Sequence, residues 1–189
     1  MGERIRAFIA IPLPREVIDQ ARRLQQQLRQ EGLRMRWVKP EAIHLTLKFL
    51  GDIDRHRIVD IEKALEATAG SSGTMALAAK GIGVFPTVKK ARVLWMGLDG
   101  ETPLLFQCHR NLEAQLAPLG FTPEKRRFNA HLTLARAKGR LDPHRLVRCM
   151  ETIGGFEAVP FAARRITLYQ SDLRPNGAVY TRLASKDLE

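Results

Sequence analysis

Two identical four-residue segments contain the side chains best suited to chemistry. The segment His44-Leu45-Thr46-Leu47 recurs as His131-Leu132-Thr133-Leu134, 87 positions later, in a chain with only five histidines. Side chains alternate across a β-strand, so each histidine is predicted to share one face with its threonine, while the leucines point to the other. The leucines would anchor each segment in a core. The duplication therefore predicts one chemical face built from two strands.

This set of side chains fits phosphodiester transfer. That reaction needs one group to take a proton from the attacking oxygen and another to protonate the leaving oxygen. Histidine titrates near neutral pH, so one imidazole can be neutral while the other is protonated. The hydroxyls of Thr46 and Thr133 can each bind a non-bridging phosphate oxygen and hold the phosphorus between the imidazoles. We therefore predict that His44, Thr46, His131 and Thr133 are the catalytic residues.

Two cationic side chains near these segments are candidate substrate contacts. Arg136 follows the second segment and could neutralise charge on a phosphate, although simple alternation places it on the leucine face, so that it would have to reach round the strand end. Lys48 has the same parity as the first histidine and threonine, which predicts an ammonium near the phosphate. Phe8 and Trp37 could stack on a nucleobase, but aromatic residues at strand positions more often pack in the core, which is the favoured prediction.

Periodicity predicts the elements that must position these residues. Strand-like segments lie at 4–11, 36–38, 42–50, 75–82, 92–98, 130–135, 156–161, 165–169 and 178–183. Helical spacing predicts a helix that ends near Gly32 and another that ends near Gly70. Two more are predicted to open at Thr102-Pro103 and Asp142-Pro143, where a capping residue precedes a proline.

Several strands follow one another directly, which favours an α+β fold with antiparallel or mixed sheets over a doubly wound parallel sheet. The chain of 189 residues is long enough for one domain, 1–189, and the Ser/Gly stretch 70–73 is the best candidate for a junction between two lobes. The sequence has neither a G-x-G-x-x-G pattern nor a Walker-type loop, which argues against a nucleotide-cofactor fold.

Composition indicates the class of partner. The 31 Lys and Arg residues against 20 Asp and Glu residues give a net charge of +11, which favours a polyanion such as RNA. No apolar run of membrane-spanning length and no cleavable signal pattern is present, so we expect a cytoplasmic protein with no membrane partner. His56, His109 and His144 lack partners at ligand spacing and are expected at the surface or in caps, so we predict neither a metal nor a cofactor.

The sequence resembles the two-histidine (2H) phosphoesterase superfamily, and within it the RNA 2′,3′-cyclic phosphodiesterases, also known as 2′-5′ RNA ligases. The resemblance covers nearly the whole chain. It comprises the segments 6–12, 36–38 with 44–51, 83–86, 92–95, 131–136, 171–173 and 177–180. One departure is Ala130, where the family often has proline; the change removes no catalytic group.

The resemblance implies a bilobal fold with pseudo-twofold symmetry, in which each lobe contributes one segment to a central cleft and helices cover the outer faces. It implies metal-independent hydrolysis of an RNA 2′,3′-cyclic phosphate to a 2′-phosphomonoester by a monomeric enzyme. In that family the first histidine, here His44, is the proton donor to the leaving 3′ oxygen. The second, here His131, is the proton acceptor that activates water. The residues themselves supply the pair but not this division.

Other functions stay open at this level. Joining a cyclic phosphate end to a 5′-hydroxyl through a 2′-5′ linkage would use the same two histidines. Hydrolysis of a small cyclic phosphate on a nucleotide or an ADP-ribose derivative is a third enzymatic reading. A basic RNA-binding module without catalysis is the alternative from another class, supported by the net charge of +11 and the scattered arginines.

Overall fold

The computed structural model describes residues 3–175 and 177–189, and over these ranges it contains nine β-strands and four α-helices. The strands are β1 (Arg4–Ile11), β2 (Met35–Trp37), β3 (Leu45–Asp54), β4 (Met75–Phe85), β5 (Val93–Gly100), β6 (Leu132–Ala137), β7 (Val159–Ala163), β8 (Arg165–Arg174) and β9 (Gly177–Asp187). The helices are α1 (Arg15–Gln30), α2 (Ile58–Ala69), α3 (Thr102–Leu116) and α4 (Pro143–Ile153).

The strands form one sheet in which every described pair is antiparallel. Its order is β7-β4-β5-β6-β3-β1-β8-β9, and β2 pairs in addition with β6. The antiparallel sheet and its four helices confirm the predicted α+β class. The order is symmetric about the β6–β3 contact, because four strands lie on each side of it. We refer to β3, β1, β8 and β9 as the first half and to β6, β5, β4 and β7 as the second half.

The two halves meet where Leu45 pairs with Leu132, and both side chains are fully buried. The chain passes from the first half to the second through 70–74, after α2, and it returns between β7 and β8. Because β8 and β9 pair back towards β1, the first half is not a continuous stretch of sequence, whereas the second half runs from β4 to β7 without interruption by a strand of the first. The single-domain assignment of 1–189 and the lobe junction at 70–73 stay predictions.

Helices cover the hydrophobic face of the sheet. On α1 the side chains of Val17, Ala21, Leu24 and Leu28 are buried along one face, and α2 packs against α3, β8 and β9. Burial of a large apolar side chain of this kind contributes roughly 1.5–3 kcal/mol to the stability of the fold. Packing of the helices therefore determines which face of the sheet is covered. No helix among the described residues combines the length and apolar character that crossing a membrane requires.

The helix starts follow the cap signals with one shift. Asp142 caps α4, where its carboxylate accepts hydrogen bonds from the backbone N–H groups of His144 and Arg145, as predicted. On α3 the capping position is Glu101 rather than Thr102, because the helix already includes the threonine. The carboxylate of Glu101 instead accepts a hydrogen bond from the backbone N–H of Ala76 on β4. Capping rules therefore place helix starts within one residue.

Truncating Leu45 or Leu132 to alanine should lower the free energy of unfolding by about 2–5 kcal/mol, because each change leaves a cavity where the halves meet. Denaturant unfolding followed by fluorescence measures the loss. Leu173→Ala is the matched control, since that side chain is 72% exposed and its truncation should change stability by less than about 0.5 kcal/mol. Equal losses at buried and exposed positions would contradict this role for the central pair.

Candidate active site

The two histidines lie at equivalent places, each immediately before the first residue of its strand. His44 precedes β3 and His131 precedes β6. The antiparallel register in which Leu45 pairs with Leu132 brings His44 opposite Thr133 and His131 opposite Thr46. All four of these side chains are partly exposed, while the leucines between them are buried. We call the sheet surface that carries these four residues the site face.

Each histidine ring is oriented by a backbone carbonyl two residues earlier. Nδ1 of His44 lies 2.8 Å from the carbonyl oxygen of Ala42, and Nδ1 of His131 lies 2.7 Å from that of Asn129. A carbonyl oxygen only accepts hydrogen bonds, so Nδ1 carries the proton in both rings. Nε2 of each neutral imidazole is then an unprotonated nitrogen that is free of this bond. The pair therefore offers two Nε2 atoms for proton transfer.

Aromatic rings surround His44. Phe8 stacks on the imidazole with 4.7 Å between centroids, and Tyr180 meets it edge-on at 5.2 Å. Phe8 also stacks on Tyr169 and is only 2% exposed, so neither face of its ring is open to a nucleobase. Phe8 therefore packs in the core, the favoured of its two predicted roles, and its ring supports His44. Trp37 is partly buried with the guanidinium of Arg29 over its ring, 5.2 Å from the centroid.

The surroundings lower the pKa of both histidines. For His44 the main cause is burial, which penalises the charged ring; the Ala42 carbonyl opposes the shift and the charge of His131 adds to it. For His131 burial again dominates, the Asn129 carbonyl opposes it, and the positive charge of Arg136 adds to it. Because two positive charges repel, protonation of one ring disfavours protonation of the other. One neutral and one protonated imidazole is thus the state that the pair favours when it is half titrated.

A β-bulge in β3 changes the position that was predicted for Lys48. Ala10 pairs with Thr46 but Ile9 pairs with Lys48, so Leu47 is an extra residue on β3. Lys48 therefore points to the core face with Ile9 rather than to the site face. The residue is buried, and its ammonium lies 2.8 Å from the carboxylate of Glu113 on α3. The prediction that Lys48 contacts substrate is wrong because simple alternation fails across the bulge.

An equivalent bulge in β6 moves Arg136 onto the site face. Trp95 pairs with Thr133 but Leu94 pairs with Ala135, so Leu134 is the extra residue. Arg136 does not need to reach round the strand end, as alternation had suggested, because the bulge reverses its side. The guanidinium is exposed. Burial is the main cause of the lowered pKa of His131 and of the raised pKa of Tyr180, and the charge of Arg136 adds to the first shift and opposes the second. It therefore lies between the two halves of the site.

Backbone and side-chain donors hold the second bulge in place. The carbonyl of Leu134 accepts hydrogen bonds from the backbone N–H of Val38 at 3.0 Å and from Nε2 of Gln25 at 2.9 Å. Gln25 lies on α1, is 2% exposed and also donates to the carbonyl of Val38. A bulged carbonyl that is removed from the regular ladder is thus satisfied by a buried amide. Gln25, a polar residue on the apolar face of α1, therefore provides the hydrogen bond that this buried carbonyl requires.

Two residues of the site face were missed by the sequence reading. Phe49 stands at the position equivalent to Arg136, five residues after its histidine, and is 56% exposed. Tyr180 on β9 packs against His44, and burial raises the pKa of its phenol while Arg136 lowers it. The signal for Phe49 was the repeat itself, once a bulge is placed in both copies. Tyr180 had no comparable signal because β9 reaches the site only through the return of the chain.

The remaining histidines lie elsewhere. His56 and His144 are exposed, as expected, whereas His109 is 8% exposed and stacks on Phe128, so its assignment to the surface is wrong. Within the described ranges, 3–175 and 177–189, no three or more His, Cys, Asp or Glu side chains are grouped so that they could hold a metal ion. Proton transfer to and from a bound substrate by two imidazoles, aided by a cation, is the chemistry that this geometry offers.

Comparison with known sequences gives a consistent set of matches. A family model described as LigT like phosphoesterase matches residues 11–95 and 98–180. An RNA 2′,3′-cyclic phosphodiesterase of Methanothermobacter thermautotrophicus is 31% identical over 179 residues, which cover 94% of this chain and 96% of that protein. An RNA 2′,3′-cyclic phosphodiesterase of Thermotoga maritima is 32% identical over 176 residues, covering 93% and 91%.

Solved structures share the fold over the same length. A protein of Thermus thermophilus superposes with a TM-score of 0.79 at 26% identity, covering 97% of this chain and 98% of that one. Escherichia coli LigT complexed with 3′-AMP superposes with a TM-score of 0.71 at 25% identity, covering 98% and 99%. The similarity therefore extends over both halves of the sheet and all of the site face.

Replacing Arg136 with glutamine should raise the pKa of His131, because the change removes the positive charge that opposes protonation of that ring. The pH dependence of the imidazole C–H resonances in NMR measures the shift. Arg15→Gln, which removes a 90% exposed guanidinium from α1, should leave the pKa of His131 unchanged. A pKa that stays the same or falls in the Arg136 variant would show that this guanidinium does not face the ring.

Proposed function

Because this chain belongs to the LigT-like phosphoesterase family, we propose that it is an RNA 2′,3′-cyclic phosphodiesterase that uses His44 and His131 as an acid–base pair. The observation that carries the proposal is the register at Leu45 and Leu132, which sets two Nδ1-anchored imidazoles across one face. The relatives that match over nine-tenths of the chain bear the name of this activity. RNA is the proposed class of substrate because these relatives are named for it, and a 2′,3′-cyclic phosphate requires a ribose 2′ oxygen.

The reaction balances with these two rings alone. Neutral His131 takes a proton from a water molecule at Nε2 as the water oxygen forms a bond to phosphorus. The bond from phosphorus to the 3′ oxygen breaks, and protonated His44 gives its Nε2 proton to that oxygen. The products are a 2′-phosphomonoester and a free 3′-hydroxyl. The assignment of donor to His44 and acceptor to His131 follows the family resemblance.

The other site-face residues fit the charge and shape of this substrate. The hydroxyls of Thr46 and Thr133, each opposite the histidine of the other half, can donate to the two non-bridging oxygens. Arg136 can neutralise the charge that builds up on the phosphate in the pentavalent transition state. Phe49, exposed at the equivalent place in the first half, offers a ring on which the terminal base can stack.

Ligation follows from the same geometry. A 5′-hydroxyl of a second RNA strand in the place of the water would attack the phosphorus and give a 2′-5′ linkage, with the same proton transfers. The exposed basic run 125–127, four residues before His131, can bind the added phosphates. Neither hydrolysis nor ligation needs a metal or a cofactor in this proposal. A monomer in the cytoplasm is the expected form of the enzyme.

An oligoribonucleotide with a 2′,3′-cyclic phosphate end tests the activity. In the presence of EDTA the wild type should convert that end to a 2′-phosphate, while His44→Ala and His131→Ala should each slow the reaction by roughly 10²–10⁴-fold, the usual contribution of a general acid or base. His144→Ala, at an exposed position on α4, is the matched control and should keep the wild-type rate.

Each departure from this result has a meaning. A cyclic end that stays intact with the wild type, a 3′-phosphate product, or loss of turnover under EDTA would sink the mechanism. Binding of the oligonucleotide that weakens steeply with salt and does not depend on His44, without any turnover, would favour the non-catalytic RNA-binding module instead.

The pH dependence has a defined sign. Activity requires neutral His131, so kcat/KM should rise with pH through the lowered pKa of that ring; it also requires protonated His44, so kcat/KM should fall as pH rises through the lowered pKa of the other. The bell-shaped profile of kcat/KM should therefore be centred below about 6.5, the ordinary histidine value. Initial rates at low substrate concentration measure it. A centre above neutral pH would contradict the assignment of both limbs to these rings.

A further inference from the structure

A buried ion pair lies behind the site face. The ammonium of Lys48 is 2.8 Å from one carboxylate oxygen of Glu113 and 2.9 Å from the other. It also donates a hydrogen bond of 2.8 Å to the carbonyl oxygen of Thr122. The Lys48 and Glu113 side chains are 4% and 12% exposed. Lys48 directly follows the bulge at Leu47, so this contact starts from the strand that carries the first histidine.

Stability alone does not explain such a pair. The cost of removing both charges from water often exceeds their attraction, and apolar residues of similar volume are frequently as stable or more so. The ammonium also holds a particular segment of the chain, because its third partner is a backbone carbonyl outside any helix or strand. Thr122 begins the stretch 122–131, which leads without regular structure to β6. Lys48 thus holds the start of that stretch against β3 and α3.

A second contact holds the end of the same stretch. The ring of Phe128 stacks on His109 of α3, with 4.0 Å between centroids and 10° between planes. His109 is 8% exposed, and its Nε2 lies 3.7 Å from the carboxylate of Glu113. Phe106 of α3 adds an edge contact to Phe128 at 5.9 Å. The stretch is therefore held at both ends by one cluster, which we name the buried anchor: Lys48, His109, Glu113 and Phe128.

The residue after Phe128 is Asn129, whose carbonyl orients His131. The corresponding carbonyl in the first half, that of Ala42, belongs to a local turn, Pro40–Ala42, closed by a hydrogen bond from the N–H of Ile43 to Pro40. Asn129 has no such turn, since 122–131 is irregular. The carbonyl that orients His44 thus belongs to a local turn, whereas the carbonyl that orients His131 lies in an irregular stretch that the buried anchor contacts.

We propose that Lys48, through its bonds to Glu113 and Thr122, is a positioning residue that keeps the Asn129 carbonyl in place and thereby fixes the tautomer and aim of His131. Its importance for turnover rests on the proposed function, but its effect on the His131 ring does not. The anchor ties the strand of one histidine to the loop of the other. In this proposal neither Lys48 nor Glu113 touches the substrate.

The test replaces the charged pair by apolar residues of similar size, Lys48→Met with Glu113→Leu, so that no unpaired charge is left in the interior. NMR of ¹⁵N-labelled histidine gives the tautomer of each ring. In the wild type both neutral rings should carry the proton on Nδ1. In the double variant His131 should show a mixture of tautomers, while His44 keeps the Nδ1 form and serves as an internal reference. Lys186→Met, which removes an ion pair to Glu62 and Glu66 of α2, is the matched control with both rings unchanged.

Kinetics supply the second readout. The double variant should lose roughly tenfold or more in kcat with KM nearly unchanged, because a misaimed base affects the transition state more than binding. Thermal unfolding establishes that the variant is folded. A folded double variant whose His131 keeps the wild-type tautomer overturns the proposal. Absence of hydrolysis by the wild type would instead refute the proposed function, and the NMR comparison would still decide the role of Lys48.

Discussion

The pairing of Leu45 with Leu132 is the contact on which the site depends. It joins two four-strand halves about a local twofold, and each leucine is flanked by a histidine and a threonine of its own segment. Because the strands are antiparallel, the histidine of one half lies beside the threonine of the other. Slipping either strand by one residue would turn its histidine into the core and its leucine out to solvent. Core packing and site geometry are thus one constraint rather than two.

The repeat, the strand and helix order and the α+β class could be read from the sequence because they depend on local periodicity and capping. The faces of residues 44–47 and 131–134 could be read for the same reason. Alternation failed beyond Leu47 and Leu134, where an extra residue in each strand exchanges the two sides, so Lys48 and Arg136 were each assigned to the wrong face. A bulge is specified by long-range partners such as Gln25, which no single strand sequence contains.

Tyr180 and the surroundings of Lys48 were out of reach for a different reason. Both depend on contacts between segments that are distant in sequence. The strand β9 belongs to the first half although all four strands of the second half precede it along the chain, and α3 packs behind β3. The backbone carbonyls that orient the imidazoles are equally invisible in a sequence, because a carbonyl has no residue type. Sequence therefore supplied the reacting groups, while the structure supplied what aims them.

The two bulges have a consequence for the orientation in which a substrate can bind. Residues 44–49 and 131–136 show the same succession of partly exposed, buried and exposed side chains, so the two halves are close to interchangeable as scaffolds. A perfectly twofold pair of imidazoles would accept a cyclic phosphate in either of two opposite orientations and could not distinguish acid from base. The residue that emerges after each bulge breaks this equivalence, since Phe49 is aromatic and Arg136 is cationic. Under the proposed function, this difference would favour one of the two orientations of the substrate, with the duplicated frame left intact.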